Sequence, residues 1–381
     1  MWGLILTLFF LLYGIICYYI GKRGWYLLGR PTPLKKVLYL LILSLFVLPF
    51  PVSEVFEDLL PASIAPWLTV WGGFSLVGLL YGFLLLLMID LLRMIDQRLP
   101  FVPARIKEHQ KTPLAIGIGL ILIVLTAVGY GGWNARHPVV TPYQLSVEKD
   151  AASLEQLKIA MVSDIHYGPV IDVERVKRLA EMVNQLQADI VLLAGDITDG
   201  SLPPGEADRL AAGLERIQAP YGVYAVPGNH DRDLRDDESQ LMTSLEDAGI
   251  QVLKDEATLI HDRFYLIGRD DPDRNRQPAR AELKDLTSDL ERSKPLILLD
   301  HQPIDLKQAQ AQGVDLQLSG HTHRGQIFPA NLITDSIYEE DWGLLKEGDY
   351  HLIVSSGYGT WGPPLRIGNH PEVVLATITF N

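Results

Sequence analysis

The sequence predicts a layered α/β domain preceded by four transmembrane helices. Long apolar stretches dominate the first third of the chain, whereas from about residue 157 short apolar runs alternate with amphipathic helical stretches. Strand and helix alternation of this kind is typical of α/β layering. A third observation bears on function, because five of the predicted strands end in polar clusters. The length of 381 residues suits two such modules.

Four apolar stretches indicate a membrane anchor, since about 20 apolar residues cross the hydrocarbon core of a bilayer. They cover residues 2–20, 37–52, 67–89 and 113–133. The second stretch is the shortest and ends in prolines. We therefore predict a four-helix transmembrane anchor over residues 1–136, a linker over 137–156 and a soluble domain over 157–381.

The basic residues of the short loops predict an orientation. The loop between the first two spans and the loop between the last two carry several Lys and Arg residues. The charged residues of the loop between the second and third spans are all acidic, namely Glu54, Glu57 and Asp58. Because cytoplasmic loops are enriched in Lys and Arg, we expect a multi-pass protein of the cell membrane whose soluble domain is extracytoplasmic. The cytoplasmic face is the alternative.

Charge is divided unevenly along the chain. Residues 1–149 carry 12 Lys and Arg against 7 Asp and Glu, a formal charge of +5, whereas the remainder carries 21 against 39, a formal charge of −18. So acidic a domain repels phosphate backbones, and we expect no nucleic-acid partner. The single cysteine, Cys17, excludes a disulfide framework and a cysteine-based zinc site. No feature indicates an obligate protein partner.

The soluble part alternates between periods of two and 3.6 residues, which predict strands and helices. Predicted strands cover 157–163, 189–194, 222–226, a pair within 251–267, 295–299, 314–318, 352–355 and 373–379. Predicted helices cover 173–186, 207–217, 238–248 and 280–292. This order favours a sheet-forming core with helices between the strands.

Polar clusters stand at the ends of five predicted strands. They read SDIH at 163–166, AGD at 194–196, PGNHD at 227–231, DHQP at 300–303 and SGHTHRGQ at 319–326. Side chains two apart on a strand share a face, so Asp164 and His166 can reach one ion together. Ligands of α/β sheets bind beyond the carboxyl ends of the strands. We therefore expect the five clusters to converge on one site.

The donor atoms of these clusters indicate metal ions. They belong to carboxylate, amide and imidazole groups without a thiolate, a set that suits Mn, Fe or Zn. Seven or eight ligands exceed the needs of one ion, whereas two adjacent ions that share a bridging carboxylate would use them all. Two-metal sites with ions about 3.5–4 Å apart serve phosphoryl transfer. The sequence therefore predicts two divalent or transition metal ions and a phosphoester substrate.

In order, the clusters resemble the motifs of the calcineurin-like metallophosphoesterase superfamily: Asp-x-His, Gly-Asp, Gly-Asn-His-Asp/Glu, a His and Gly-His-x-His. Residues 157–381 are similar in particular to its bacterial membrane-associated or exported phosphodiesterase branch. The similar segments are GRDDP at 268–272, GHTHRGQIFP at 320–329 and SGYGTWGPPLRIGNHP at 356–371. Arg324 departs from the branch, which often has glycine there. The resemblance implies a four-layer α/β/β/α sandwich with two mixed sheets, and it leaves the apolar segment uncovered.

The resemblance also implies a metal-ligand set by position. One ion would take Asp164, His166, Asp196 and His323, and the other would take Asp196, Asn229, His301 and His321, with Asp196 bridging. A hydroxide held between the two ions would attack phosphorus in line.

Further roles concern the substrate. His230 would be the catalytic histidine that is not a ligand, able to protonate the leaving oxygen. Arg324, Arg232 and Arg269 are candidates for holding the non-bridging phosphate oxygens. Trp361 is a candidate for the rim of the site.

We therefore expect a membrane-anchored phosphoesterase, in particular a phosphodiesterase, whose substrate is a phosphate ester of lipid-linked or envelope origin. One alternative is a UDP-diacylglucosamine pyrophosphate hydrolase of lipid A synthesis, although that cytoplasmic substrate conflicts with the expected orientation. Another is a non-catalytic membrane sensor or scaffold with a phosphoesterase fold. A nuclease or protein phosphatase would share the same ligands. A transporter is disfavoured because the spans carry few ionisable residues.

Overall fold

A computed structural model describes residues 2–27, 32–56, 59–61, 63–231, 237–272 and 280–381. The chain divides into two compact units. The first consists of Met1–Trp133 and Gly362–Leu365, and the second of Asn134–Trp361 and Arg366–Asn381.

Long apolar helices make up most of the first unit. The helices of this part of the chain are α1 Trp2–Leu27, α2 Pro33–Val47, α3 Pro49–Val55, α4 Ala65–Arg98, α5 Ala104–Lys107 and α6 Thr112–Asn134. Within the described residues, α1, α4 and α6 are long and apolar enough to cross a membrane. By the same criteria α2 and α3 qualify only as a pair, bent by 43°.

The second predicted span, residues 37–52, is therefore two helices and not one. Pro49 stands at the first position of α3, and Pro51 follows within its first turn. Proline lacks the N–H that a continuous helix needs and its ring clashes with the preceding turn, so a break at Leu48 is the expected outcome.

A charged residue inside an apolar helix is paired within the first unit. The Asp90 carboxylate in α4 accepts hydrogen bonds from the Arg23 guanidinium and the Tyr19 hydroxyl of α1. The Tyr13 hydroxyl of α1 also donates to the carbonyl of Val47 at 2.7 Å. Ionisable groups in a hydrocarbon environment are costly unless they are paired, so these contacts favour the association of α1 with its neighbours.

Twelve strands and six helices of the second unit lie within the described residues. The strands are β1 Val139–Val147, β2 Gln156–Val162, β3 Ile190–Ala194, β4 Val223–Val226, β5 Ile250–Val252, β6 Glu256–Ile260, β7 Phe264–Gly268, β8 Leu296–Leu299, β9 Leu316–Ser319, β10 Gly343–Glu347, β11 Tyr350–Val354 and β12 Glu372–Phe380. The helices are α7 Val173–Gln185, α8 Glu206–Leu214, α9 Asp237–Asp247, α10 Leu283–Thr287, α11 Leu306–Ala311 and α12 Asn331–Ile337.

These strands form two mixed six-stranded sheets. The first has the order β1-β12-β2-β3-β4-β5 and the second the order β10-β11-β9-β8-β7-β6. In the first sheet β2 to β5 are parallel, and β12 is antiparallel to β2. In the second sheet β7, β8, β9 and β11 are parallel, and β6 and β10 are antiparallel edge strands.

Alternation along the buried strands builds the layers. In β3, Ile190 and Leu192 join the core between the two sheets, whereas Val191 and Leu193 join the core that includes side chains of α7, α8 and α9. A third core packs α10 and α11 on the outer face of the second sheet. Because successive side chains of a strand face opposite ways, each sheet contributes to two cores. The predicted α/β/β/α sandwich is confirmed.

Helix α7 shows how the outer layer is specified by sequence. The Asp172 carboxylate accepts from the Arg175 backbone N–H at 2.9 Å and caps the helix N-terminus. The buried apolar residues of the helix are Val176, Leu179, Ala180 and Val183. They recur at helical spacing and therefore turn one face toward the first sheet.

Residues 137–156, predicted as a linker, contain strand β1. All nine residues of β1 pair in parallel with β12, from Val139 with Glu372 to Val147 with Phe380. Leu145 and Val147 are 6% and 3% exposed and belong to the core between the sheets. The linker prediction is wrong because Pro142 stands inside β1. A proline argues against a strand in a sequence, although an edge strand tolerates it.

Other predicted elements differ in extent. The predicted helix 280–292 is shorter in the structure, where α10 covers only Leu283–Thr287. Arg280, which precedes it, forms ion pairs with the Asp300 and Asp305 carboxylates. The pair predicted within 251–267 is the hairpin β6–β7, and β5 continues the first sheet. Short elements such as α11, α12 and β10 have too few residues to show a period.

The edge strand gives a test of the fold. Replacement of Leu145 by Ala should lower the free energy of unfolding by about 2–4 kcal/mol, because it leaves a cavity between the sheets. Replacement of Val140 by Ala should lower the free energy of unfolding by less than about 0.5 kcal/mol, because this residue of the same strand is 38% exposed. Urea denaturation of the detergent-solubilised protein measures both. Equal effects would show that β1 does not belong to the core.

Candidate metal centre

The predicted ligands follow parallel strands of both sheets. In the first sheet β2, β3 and β4 are parallel neighbours, and in the second β8 and β9 are. The carboxyl ends of parallel strands meet at one edge of a sheet, where ligands usually bind. The loops after these five strands carry Asp164, His166, Asp196, Asn229, His230, His301, His321 and His323.

Asp164, His166 and His323 form a first cluster. One possible ligand atom from each lies within 4.8 Å of the other two. The Nε2 atom of His323 is 3.0 Å from Nε2 of His166 and 3.3 Å from Oδ1 of Asp164. All three residues are buried. Residues from two different sheets are thus brought together out of contact with bulk water.

Asp196, His301 and His321 form a second cluster with the same spacing. The Oδ2 atom of Asp196 is 3.2 Å from Nε2 of His301 and 3.7 Å from Nε2 of His166. Asp196 therefore lies between the two clusters and can contribute to both, which is the position that the resemblance implies for a bridging carboxylate.

Hydrogen bonds at the far side of two imidazole rings leave their site-facing nitrogens available. The Nδ1 atom of His166 is 3.2 Å from Oδ1 of Asp199, and Nδ1 of His301 is 2.7 Å from the carbonyl oxygen of Ala194. A nitrogen this close to an oxygen acceptor carries the proton, so a neutral ring directs the Nε2 lone pair into the site. Metal-binding histidines are commonly oriented in this way.

Buried acceptor atoms at the site fit a cation. Oδ1 of Asn229 has no hydrogen-bond partner, and Nε2 of His301 makes no well-aligned hydrogen bond although it lies near Asp196. An unsatisfied buried polar atom costs about 1–3 kcal/mol, which a bound cation would relieve. Carboxylate, amide and imidazole donors are the set that divalent transition metals prefer. The residues present therefore fit metal binding.

The charge states of the protein without metal also favour cations. Burial alone would raise the pKa of Asp196, but His301 beside it holds that pKa well below its usual range. Burial and the neighbouring His301 lower the pKa of His321 to about 3. At neutral pH the site therefore presents an ionised carboxylate and a neutral imidazole, the forms that bind metal.

Two other histidines hold protons more strongly in the protein without metal. Burial by itself would lower the pKa of His301, but the carboxylate of Asp196 raises it well above the usual value. Burial by itself would also lower the pKa of His166, but the carboxylates of Asp199, Asp196 and Asp164 together raise it. A proton on these rings occupies the position where a cation would bind.

His323 differs from the other predicted ligands in its second nitrogen. The Arg366 guanidinium donates to Nδ1 of His323 at 3.2 Å, and Arg366 is fully buried. Arginine has no acceptor, so a neutral His323 ring carries its proton on Nε2 and donates it toward His166 or Asp164. Metal binding by Nε2 must therefore displace this proton or change the contact with Arg366.

Several predicted ligands lie in a strained backbone conformation. The φ angles of Asp164, His166, Asp196, His321 and His323 are between 48° and 71°, in the left-handed region. Such a conformation costs about 1–3 kcal/mol for a residue other than glycine and persists only when surrounding contacts enforce it. The backbone N–H groups of Asp164 and His166 donate to the carbonyls of Gly195 and Asp196, both at 3.0 Å. These bonds tie the loops after β2 and β3 together.

Glycines permit the close approach of the loops. A Cβ atom on Gly228 would overlap the backbone nitrogen and the carboxylate of Asp196. A Cβ atom on Gly320 would overlap the side chains of Ser163 and Asp164. The Gly-Asn-His motif therefore needs glycine for the close approach of the loops after β3 and β4. The Gly-His motif needs it for the approach of the loops after β2 and β9, which belong to different sheets.

His230 lies beside both clusters and near solvent. Its backbone N–H donates to Oδ1 of Asp196 at 2.8 Å, and its ring centroid is 5.0 Å from that of His166. Burial is the main cause that lowers the pKa of His230, so the ring is neutral near pH 7. Trp361, which is 57% exposed, lies at 6.0 Å between ring centroids on another side of His230.

The three arginines predicted to hold phosphate oxygens differ in their positions and contacts. Arg269 is 3% exposed, pairs with Asp300 at 3.3 Å and donates to the carbonyl of Ala281, so its prediction as a substrate contact is wrong. The half-buried Arg324 stacks on the ring of Trp342 with 4.0 Å between Cζ and the centroid. Arg232 lies outside the described residues.

Two residues of the site were missed in the sequence. Asp199 orients His166 and lies 3.8 Å from Nδ1 of His230. Its position three residues after Asp196, in the same loop, was the available signal. The sequence offered no signal for Arg366, because a buried arginine cannot be distinguished from a solvated one by residue type.

Known proteins with similar sequences support one family. The calcineurin-like phosphoesterase model matches residues 157–325. An uncharacterized metallophosphoesterase of Aquifex aeolicus (strain VF5) is 37% identical over 247 residues, which cover 62% of this chain and 92% of that protein. A transmembrane protein with metallophosphoesterase domain from Danio rerio is 32% identical over 270 residues, covering 67% of this chain and 61% of that protein.

A third relative, an uncharacterized metallophosphoesterase of Helicobacter pylori (strain J99 / ATCC 700824), is 30% identical over 272 residues, covering 71% of each chain. The region matched by the family model includes the loops after all five strands that carry the two clusters. This chain belongs to the calcineurin-like phosphoesterase family.

Proposed function

We propose that this protein is a membrane-anchored phosphodiesterase that depends on two metal ions. The observation that carries the proposal is the position of Asp196 between two clusters of buried ligand atoms. Membership of the family implies hydrolysis of phosphoesters. The apolar helices and the transmembrane relatives support attachment to the bilayer.

The two clusters suggest how the ligands divide between the ions. Asp164, His166 and His323 would serve one ion, and His301 and His321 the other. Asp196 would bridge the two. Asn229 would complete the second set, since its Oδ1 atom is buried without a hydrogen-bond partner. Mn, Fe or Zn suits these donors.

Bound ions of this kind lower the pKa of water and neutralise the charge of a phosphate group. The protein's own residues position and polarise the substrate. The ring of His230 is neutral, so it can donate one N–H hydrogen bond to an oxygen of the phosphate or of the leaving group. The Asp199 carboxylate restrains His166, and the same carboxylate lies near the ring of His230. These contacts align the ligands before the substrate arrives.

The composition and the anchor narrow the substrate class. The −18 charge of residues after 149 disfavours long polyanions, which would be repelled wherever no cation intervenes. Attachment to a bilayer favours a phosphoester that is found at the membrane. We place the domain on the extracytoplasmic side, on the basis of the charge distribution in the loops.

Replacement of Asp196 by Asn tests the bridging role. It keeps the size of the side chain but removes its negative charge, so kcat/KM for an aryl phosphodiester should fall by roughly 1,000-fold and at least one metal ion should be lost. Mass-spectrometric metal analysis and a chromogenic assay measure the two effects. Replacement of Asp262 by Asn is the matched control, because its side chain is 83% exposed. Full activity of the Asp196 variant would overturn the proposal.

Metal affinity should weaken as the pH falls through neutrality. His301 and His166 have raised pKa values in the metal-free protein, so they stay protonated to a higher pH than ordinary imidazoles and compete with the cation. His321 does not compete, because its pKa is about 3. For each proton that the metal displaces, the dissociation constant should increase about tenfold when the pH falls by one unit. Calorimetric titrations between about pH 6 and 8 check this slope, and a flat profile would contradict it.

The orientation can be tested with fusions at the C-terminus. Alkaline phosphatase, which needs an oxidising compartment, should be active there, whereas a fluorescent protein that matures only in the cytoplasm should stay dark. The physical reason is the excess of Lys and Arg in the two loops expected to be cytoplasmic. The reverse pattern would place the site on the cytoplasmic face.

A further inference from the structure

An exposed apolar patch lies close to the metal centre in sequence and in space. We define it as Phe328, Leu332, Ile333 and Ile337, which are 49%, 59%, 59% and 67% exposed. Helix α12, which carries the last three, buries none of its residues. Contiguous apolar groups of this kind on a water-soluble surface usually mark an interaction site.

The apolar residues of α12 share one face. At about 100° per residue, Leu332, Ile333 and Ile337 fall within an arc of about 140°. The Thr334 hydroxyl, which lies off this arc, donates to the carboxylate of Asp341 at 2.5 Å. This bond ties the polar side of the helix to the protein and leaves the apolar side outward.

Both ends of α12 lead to the metal centre. Tyr338 directly follows the helix, and its ring centroid is 6.2 Å from that of His321. On the other side, the Gln326 side chain bonds the backbone N–H and carbonyl of Trp361 at 2.8 and 2.9 Å. The indole of Trp361 approaches His230. Exposed aromatic and aliphatic side chains therefore border the site.

Asn134, the first residue of the second unit, is hydrogen-bonded to residues of the same unit. Its side chain donates to the carbonyls of Arg366 and Asn369 at 3.0 and 2.7 Å. Asn369 in turn donates to the carbonyl of His323 at 3.0 Å. The backbone N–H of Phe328 donates to the carbonyl of Ile367 at 2.8 Å. Residues 366–369 thus contact Asn134, a predicted ligand and the first residue of the patch.

The end of α6 also marks a membrane boundary. Tyr130 and Trp133 are 47% and 56% exposed, and such aromatic residues are enriched where a span meets the headgroups. Asn134 follows directly, and β1 begins at Val139. The patch is therefore joined through residues 366–369 to a residue at the expected membrane surface.

Resting on the proposed function, we propose that the patch inserts into the bilayer that anchors this chain, and that the site hydrolyses a phosphodiester carried by a lipid of that bilayer. The reaction breaks one P–O bond, places the oxygen of water on phosphorus and transfers a proton to the leaving oxygen. The lipid chains stay in the membrane beside α12. The acidic residues Asp335, Glu339 and Glu340 repel anionic headgroups, so the surface fits zwitterionic phospholipid.

A pair of substrates with the same reacting group tests the proposal. One is bis(p-nitrophenyl) phosphate, which is soluble, and the other is a diacyl phosphatidyl-p-nitrophenol in phosphatidylcholine vesicles that hold the full-length protein. The combined substitutions Leu332→Ser, Ile333→Ser and Ile337→Ser should lower hydrolysis of the lipid substrate at least tenfold. Hydrolysis of the soluble substrate should change less than twofold, because none of these side chains is a predicted ligand.

Leu259→Ser is the matched control. Leu259 is 38% exposed on β6, the edge strand opposite β10 in the second sheet, and this substitution should change neither rate. Equal loss on both substrates, or no loss on the lipid substrate, would overturn the proposal. If wild-type protein hydrolyses neither substrate, the proposed function fails, and insertion must be judged separately.

A fluorescent label measures insertion of the patch into the membrane independently of hydrolysis. In a Cys17→Ser background, an environment-sensitive dye on Ile337→Cys should be quenched by spin-labelled phosphatidylcholine at least threefold more than the same dye on Lys284→Cys. Lys284 is exposed on α10 and serves as the control position. Equal quenching at the two positions would show that the patch stays in water, whatever the catalytic result.

Discussion

The buried carboxylate of Asp196 connects the two halves of the metal centre. It faces His301 from the second sheet and His166 from the first, and its other oxygen accepts the backbone N–H of His230. A carboxylate removed from water is stable only when charges or donors surround it. The approach of the two sheets at their carboxyl ends supplies those groups, and the same approach creates the candidate binding positions. Neither sheet alone could assemble both clusters.

This arrangement has a cost that the rest of the domain must offset. Left-handed backbone at five predicted ligands, an unpartnered Asn229 oxygen and buried imidazoles all oppose folding. Three hydrophobic cores, one between the two sheets and one on the outer face of each, stabilise the sandwich against that cost. A ligand that binds only the folded state adds to stability, so cations at this site would strengthen the fold as well as prepare it for hydrolysis.

The sequence contained the layers and the ligand loops in a readable form, but not the groups around them. Asp164, Asp196 and His301 could be found because each follows an apolar run long enough to indicate a strand. Asp199 and Arg366 act on His166 and His323 through contacts that only the folded chain creates. Arg269 misled because its exposure, not its residue type, decides whether it can meet a substrate. Strand β1 was missed because Pro142 interrupts it, which only an edge strand tolerates. The short helix α12 was missed because seven residues cannot establish a period.

The order β1-β12-β2 has a consequence for biosynthesis. Strand β12 lies between two strands that are translated more than 200 residues before it, so the first sheet has a gap until the last part of the described sequence emerges from the ribosome. Pairings so distant along the chain are slow to form. Until then, the inner edges of β1 and β2 remain unpaired and exposed to other chains. Strand β12 pairs on both sides, so this single strand closes both open edges when it joins the sheet.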